Sequence, residues 1–202
     1  MAWDTAATQQ KILTAAVAEF AEHGPDGTTV ERIARAAGVN KERVYNYFGD
    51  KRALFAVVLR EELASVARDV PISAASPGDI GEYAGRVYDY HRAHPQFSRL
   101  LRWEGLVFDA IVPDEAQRRE HYRDKVEAVT AGQRSGAISS AHSPDQLVFL
   151  IFAIAGWWSA VPQVARMISG PVNEQEHARR RDTVVRAASE LATPQPAVTT
   201  PR

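Results

Sequence analysis

Lys41, Glu42, Arg43 and Asn46 lie within six positions of one another, and each carries a group that can read the edge of a base pair. An arginine fork matches guanine, an asparagine amide suits adenine, and a glutamate can accept from cytosine N4. Thr29 and Lys51 flank this group at the starts of two expected helices, where free backbone N–H groups attract phosphate. A different chemistry is open to His91 and His94, three apart with Asp89 beside them and His121 further on, which could supply metal ligands. His94 precedes Pro95 at a helix end, however, where an imidazolium is favoured by the helix dipole without any metal. The carboxylates Glu104, Asp109, Asp114 and Glu115 lack the partner pattern of acid–base catalysis, and no phosphate-cradling glycine loop or Ser/His/Asp order stands out. We therefore expect no catalytic residue, no metal and no cofactor, with a helical metal-dependent enzyme as the distant alternative.

The base-reading side chains need a rigid helix to carry them, and residues 29–55 supply one. Val30, Ile33, Ala34 and Ala37 recur at spacings of three and four, which places them on one helix face. Gly38 offers a left-handed turn residue, Val39 plugs the angle, and Asn40 can cap the next helix by accepting a backbone N–H bond. That second helix begins near Lys41. Val44 with Tyr47 or Phe48 would face inward, leaving Lys41, Glu42, Arg43, Tyr45 and Asn46 outward. Helix-turn-helix is the reading, and the major groove of DNA the surface it fits. A preceding helix over 8–23, with Ile12, Leu13, Ala16, Val17 and Phe20 inward, is stopped by Gly24-Pro25-Asp26-Gly27. Asp50 caps a following helix from Lys51 to Asp69, striped by Leu54, Phe55, Val58, Leu59, Leu63 and Val66.

The ordered string Thr29-x-x-x-Ile33-Ala34-x-x-Ala37-Gly38-Val39, then Val44-Tyr45-x-Tyr47-Phe48-Gly49-x-Lys51-x-x-Leu54-Phe55, behind Ile12, Ala16, Phe20 and Gly24, resembles the tetracycline-repressor (TetR) family of one-component transcriptional regulators. The resemblance covers about residues 8 to 60. It implies an all-α fold, a homodimer on a palindromic double-stranded DNA operator, and release by a small-molecule effector that shifts the fourth helix and changes the separation of the recognition helices. It also implies that Tyr45 and Tyr47 contact phosphate and sugar, although Tyr47 could instead be a packing residue. Many members carry a small residue and then Thr or Ser where this chain has Glu42-Arg43, so the operator does not transfer with the resemblance.

The chain has 202 residues, enough for a small DNA-binding module and a larger helical domain. About nine helices are expected, divided as 1–50, a connecting helix over 51–70, an effector-binding and dimerisation domain over 71–192, and a disordered tail over 193–202. The absence of cysteine excludes disulfides and thiolate sites and suits a reducing cytosol. No signal-peptide pattern opens the chain, and the longest apolar run, Leu147 to Val161, is short of a membrane span. A soluble cytoplasmic protein is expected. The formal net charge is −1, yet Arg32 to Arg52 holds six basic residues against two acidic ones, a local +4 suited to phosphates.

Downstream, helices are expected over 77–94, from Pro95 to as far as Ile111, and over 113–134. Ser143-Pro144-Asp145 opens another, which Pro162 must kink or interrupt. Gly170-Pro171 precedes the last, over 172–191. Leu147 to Val161 is apolar all round and must be covered all round. A partner subunit is expected on one face of the helices around 144–169 and 172–191, the latter with Val184, Val185, Ala188 and Leu191. Trp103, Glu104, Phe108, Tyr122, Phe152 and Trp157, near an expected break at Gly105, suggest a pocket for an amphipathic or aromatic effector, with carboxylates that would admit a cation. An architectural DNA binder without an effector is the other regulatory reading.

Overall fold

The computed structural model describes residues 3–108, 112 and 114–195. Asp109, Ile111, Pro113 and the tail beyond 195, which entered the sequence reading, lie outside the described residues. Ten helices and no strand occur among the described residues: α1 (Trp3–Gly27), α2 (Val30–Ala37), α3 (Lys41–Phe48), α4 (Lys51–Asp69), α5 (Pro77–Ala93), α6 (Pro95–Val107), α7 (Glu115–Arg134), α8 (Pro144–Ala160), α9 (Pro162–Ser169) and α10 (Glu174–Ala192). The tenth arises at Pro162, which separates α8 from α9 with a bend of 83°. Two boundaries differ from expectation. Helix α1 starts five residues earlier and is broken, not ended, at Gly24; Gly105 lies inside α6 and breaks nothing. Among the described residues no single helix is long and apolar enough to cross a membrane.

The chain packs as two compact units, Met1–Arg68 with His94–Glu115, and Asp69–Ala93 with Ala116–Arg202. In the first, Ile12, Ala16 and Phe20 of α1 meet Val30, Ile33 and Ala34 of α2, Val44 of α3, and Leu54, Phe55, Val58 and Leu59 of α4. Each of the buried Ile, Leu, Val and Phe side chains contributes roughly 1.5–3 kcal/mol, and the alanines less. Leu63 and Val66, expected in the α4 stripe, are only half-buried. Helix α6 belongs to this unit although the sequence reading placed it in the C-terminal segment. Its Leu100 is fully buried in the same core, with Trp103 and Phe108 packed beside it. Phe108 stacks on Phe55 with centroids 5.9 Å apart, and Phe55 meets Phe20 edge-on at 5.1 Å.

In the second unit α5 packs against α8 and α10. Helix α10 approaches α5 closely because Gly81 and Gly85 lack side chains; a Cβ on Gly81 would stand 2.6 Å from the Val185 carbonyl. Val184 and Ala188 are fully buried within this one protomer. They are not available to a partner, which removes two of the four residues of the stripe expected to face a second subunit, while Val185 and Leu191 are half-buried. The contact is pinned at its rim by Arg181, which bonds Asp89 at 2.7 Å and Glu82 at 3.1 Å, and by Tyr88 with His177 at 2.9 Å.

Candidate nucleic-acid interface

Helix α2 is started by Thr29, extended at φ −128°, ψ 158°, whose Oγ1 accepts the Arg32 N–H at 3.2 Å. It ends at Gly38, left-handed at φ 68°, ψ 33°, where the Gly38 N–H reaches the Arg35 carbonyl at 3.2 Å and the Val39 N–H reaches Ala34 at 3.0 Å. Those two bonds satisfy carbonyls that the helix would otherwise leave open. Asn40 then caps α3, its Oδ1 accepting the Arg43 N–H at 3.1 Å. Gly49, at φ 77°, closes α3, and Asp50 caps α4 by accepting the Ala53 N–H at 2.8 Å. Every turn that sets the angle of α3 is thus fixed by a specific residue.

Within α3 only Val44 is buried. Lys41, Glu42, Arg43, Tyr45 and Asn46 are all exposed, while Tyr47 and Phe48 are half-buried and pack against the core with their rings 6.3 Å apart. Tyr47 is therefore a packing residue in this fold, and Tyr45 is the outward tyrosine. Thr29 and Asn40 are exposed next to the caps they form.

The positive patch is less free than the residue count suggests. Glu19, on α1, holds the Arg32 guanidinium at 3.1 Å, and Arg32 also contacts His23 at 2.7 Å. Glu31 holds Lys41 at 3.6 Å, with both side chains about half exposed. Such an exposed pair is worth under about 1 kcal/mol and exchanges readily for a phosphate. Lys51 donates to the Thr28 carbonyl at 3.1 Å, tying the start of α4 to the start of α2. Arg52 lies over the Phe108 ring at 5.4 Å. Two of the four net charges counted between Arg32 and Arg52 are thus matched by carboxylates outside that window.

Glu19 is the residue that sequence reasoning missed. It accepts from the Thr28 hydroxyl at 2.7 Å, and that bond, aided by Arg32, holds its carboxyl below the ordinary carboxylate range. Nothing in the spacing marks it, since its partners lie nine and thirteen residues on and meet it only once α1 and α2 cross.

The six aromatic and acidic residues read as a pocket fall in both units. Trp103, Glu104 and Phe108 are in the first, where the Trp103 ring fills the space beside Gly24. Tyr122, Phe152 and Trp157 are in the second; Tyr122 meets Phe152 at 6.2 Å, while Trp157 is 64% exposed. His91 and His94 likewise fall on opposite sides of the division.

A family model described as "Bacterial regulatory proteins, tetR family" matches residues 12–58, and one described as "Tetracyclin repressor-like, C-terminal domain" matches residues 79–189, more than half of the chain. The chain belongs to the TetR family. Its similarity to other TetR-family proteins runs through both units. It is 45% identical over 168 residues to the HTH-type transcriptional repressor SCO4008 of Streptomyces coelicolor, covering 83% of this chain and 86% of that one. It is 30% identical over 178 residues to the HTH-type transcriptional regulator RutR of Escherichia coli, covering 84% and 82%. The crystal structure of SCO4942 from Streptomyces coelicolor, described as a transcriptional regulator, superposes with a TM-score of 0.80 at 31% identity, covering 93% of this chain and 99% of that chain. As a TetR-family chain it is a DNA-binding transcriptional regulator and not an enzyme.

Proposed function

We propose that this chain is a cytoplasmic repressor that binds a palindromic operator as a homodimer and releases it when a small effector binds. The observation that carries the reading is α3 itself. One buried residue, Val44, anchors it, and five polar side chains face outward on a helix fixed at both ends. Arg43, Lys41 and Asn46 are the base readers, with Glu42 set against cytosine. Thr29, Tyr45 and Lys51 take the phosphates, and Asn40 holds the reading helix in place while sitting at its groove-facing end. The name of the Streptomyces coelicolor relative supports repression as the sign of regulation.

The dimer is supported by an uncovered face on α8. Phe149 is 73% exposed and Trp157 64%, with exposed Ala153 between them at four-residue spacing. Three such residues in line make an apolar strip suited to an equivalent helix of a second copy, with α10 alongside.

Selection of bound sequences from random duplex DNA, followed by titration of variants, tests the reading. An inverted repeat should emerge. Arg43→Ala should lose about 1–3 kcal/mol of discrimination at one base position, whereas Lys51→Ala should weaken operator and random DNA alike. Equal losses for both variants on both DNAs would remove Arg43 as a base reader. Failure of the pool to converge would sink operator recognition.

A further inference from the structure

Glu31 is the second residue of α2 and Lys41 the first of α3, and their ion pair at 3.6 Å spans the turn between the two helices. The turn does not depend on it. Gly38, left-handed at φ 68°, and Asn40, which caps the Arg43 N–H at 3.1 Å, already set how α3 leaves α2. Both side chains are about half exposed, and a pair so placed adds little to folding stability. What it does instead is decide where the Lys41 ammonium sits.

The carboxylate is itself held. Its own backbone N–H, then Lys41 and the Thr29 hydroxyl, keep it below the ordinary carboxylate range, so it stays charged at neutral pH. Glu19 makes a useful contrast: its side chain is 18% exposed and bridges Thr28 and Arg32, which is a structural tie. Glu31 stands in solvent beside Thr29, on the surface that α2 and α3 present together.

A lysine ammonium has three donors, so Lys41 can keep Glu31 and still offer N–H groups to a base edge. A phosphate meets a different situation. The Glu31 carboxylate repels it, and drawing the ammonium away leaves that carboxylate uncovered before the DNA backbone. Base edges carry no net charge and meet no such repulsion. The first residues of a recognition helix are the ones that reach base edges, and Lys41 opens α3.

We infer that Glu31 is a positioning residue for operator recognition, anchoring Lys41 toward the base edges and keeping it off the phosphates. The inference rests on the reading of Lys41 as a base contact given above. A phosphate gains Lys41 only by opening the pair, whereas a matching base gains it with the pair intact. Specificity is a difference of affinities, and Glu31 widens it by disfavouring the wrong contact.

Anisotropy titrations of the full-length chain on selected operator and on random duplex, over a range of salt, test this in a double-mutant cycle of Glu31→Gln and Lys41→Met. Melting temperatures of all four proteins should agree. Glu31→Gln should tighten random DNA more than operator, lowering the ratio of the two affinities about threefold to fivefold, the range an exposed pair can supply. Its salt slope on random DNA should steepen by about 0.9, as one more phosphate is neutralised. Preference at the base pair read by Lys41 should flatten in either single variant. With Lys41→Met present, Glu31→Gln should tighten both DNAs alike and leave the ratio unchanged. Equal tightening of both DNAs by Glu31→Gln with Lys41 in place, an unaltered salt slope, or the same fall in ratio with and without Lys41 each overturns the inference, leaving Glu31 a general repulsive charge. If Lys41→Met flattens the base preference and Glu31→Gln does not, positioning fails and the base contact stands. If Lys41→Met flattens nothing, the base contact itself fails and the inference falls with it.

Discussion

Glu19 joins three backbone segments through one carboxylate: it belongs to α1, accepts from Thr28 before α2, and pairs with Arg32 inside α2. The side chain is 18% exposed, so its bonds are only partly screened. Because its folded pKa lies below the ordinary 4.5, chiefly through the Thr28 hydrogen bond, it stabilises the fold above that pH. As pH falls through the folded value the carboxyl protonates and the contribution disappears. Glu19→Gln should therefore lower stability by about 1 kcal/mol at pH 7, the usual net worth of such a bond. Urea titrations of both proteins at several pH values check this. The gap between them should close as pH drops well below 4.5, and a gap independent of pH would mean that packing, not charge, holds the α1–α2 angle.

At the scale of elements, two glycines with positive φ do different jobs. Gly38 is left-handed, and a Cβ built there meets nothing within 4 Å, so Gly38→Ala should cost only the backbone penalty, about 1–2 kcal/mol. Gly24 sits at φ 71°, ψ 169°, a region essentially confined to glycine, and its Cβ would stand 2.8 Å from the Trp103 ring. Strain and overlap add there, and Gly24→Ala should cost about 3 kcal/mol or more. Denaturant midpoints of the two variants, measured side by side, rank them. Equal losses would show that α6 gives way to the new methyl. The contrast also marks what the sequence could convey. Gly38, Asn40 and Asp50 were legible because caps and turns are local, and Val44 because a helix has a fixed period. That Trp103 fills the kink at Gly24, or that Phe108 stacks on Phe55, was not. Periodicity shows that a helix has an apolar face, but not which neighbour covers it, so α6 was read with the segment that surrounds it in sequence. Pro162 announced a break, yet a proline does not say whether the helix kinks or restarts.

For the whole molecule, the chain passes between the two units three times, after Arg68, Ala93 and Glu115. The second unit is thus bonded directly to α4 and to both ends of the α6 segment, the helices whose Phe55, Leu100 and Phe108 underlie α2 and α3. A ligand that alters α5 or α7 acts on residues covalently continuous with that core. Such coupling regulates transcription only if operator affinity depends on two recognition helices at a set spacing, because one eight-residue helix reads few bases. The proposed dimer is therefore the property on which the rest depends, and the exposed strip on α8 offers its test. Phe149 and Trp157 are largely exposed in the single chain, so Phe149→Glu with Trp157→Glu places carboxylates in water and should leave helicity and melting of the monomer nearly unchanged. Across a two-fold interface the same carboxylates would be desolvated beside their own copies, which is strongly unfavourable. Sedimentation of the double variant should give a folded particle of about 22.3 kDa, with operator affinity down at least a hundredfold and weak binding to random DNA retained. A variant that stays dimeric would place the interface elsewhere, with the exposed Val164, Met167 and Ile168 of α9 the next face to charge.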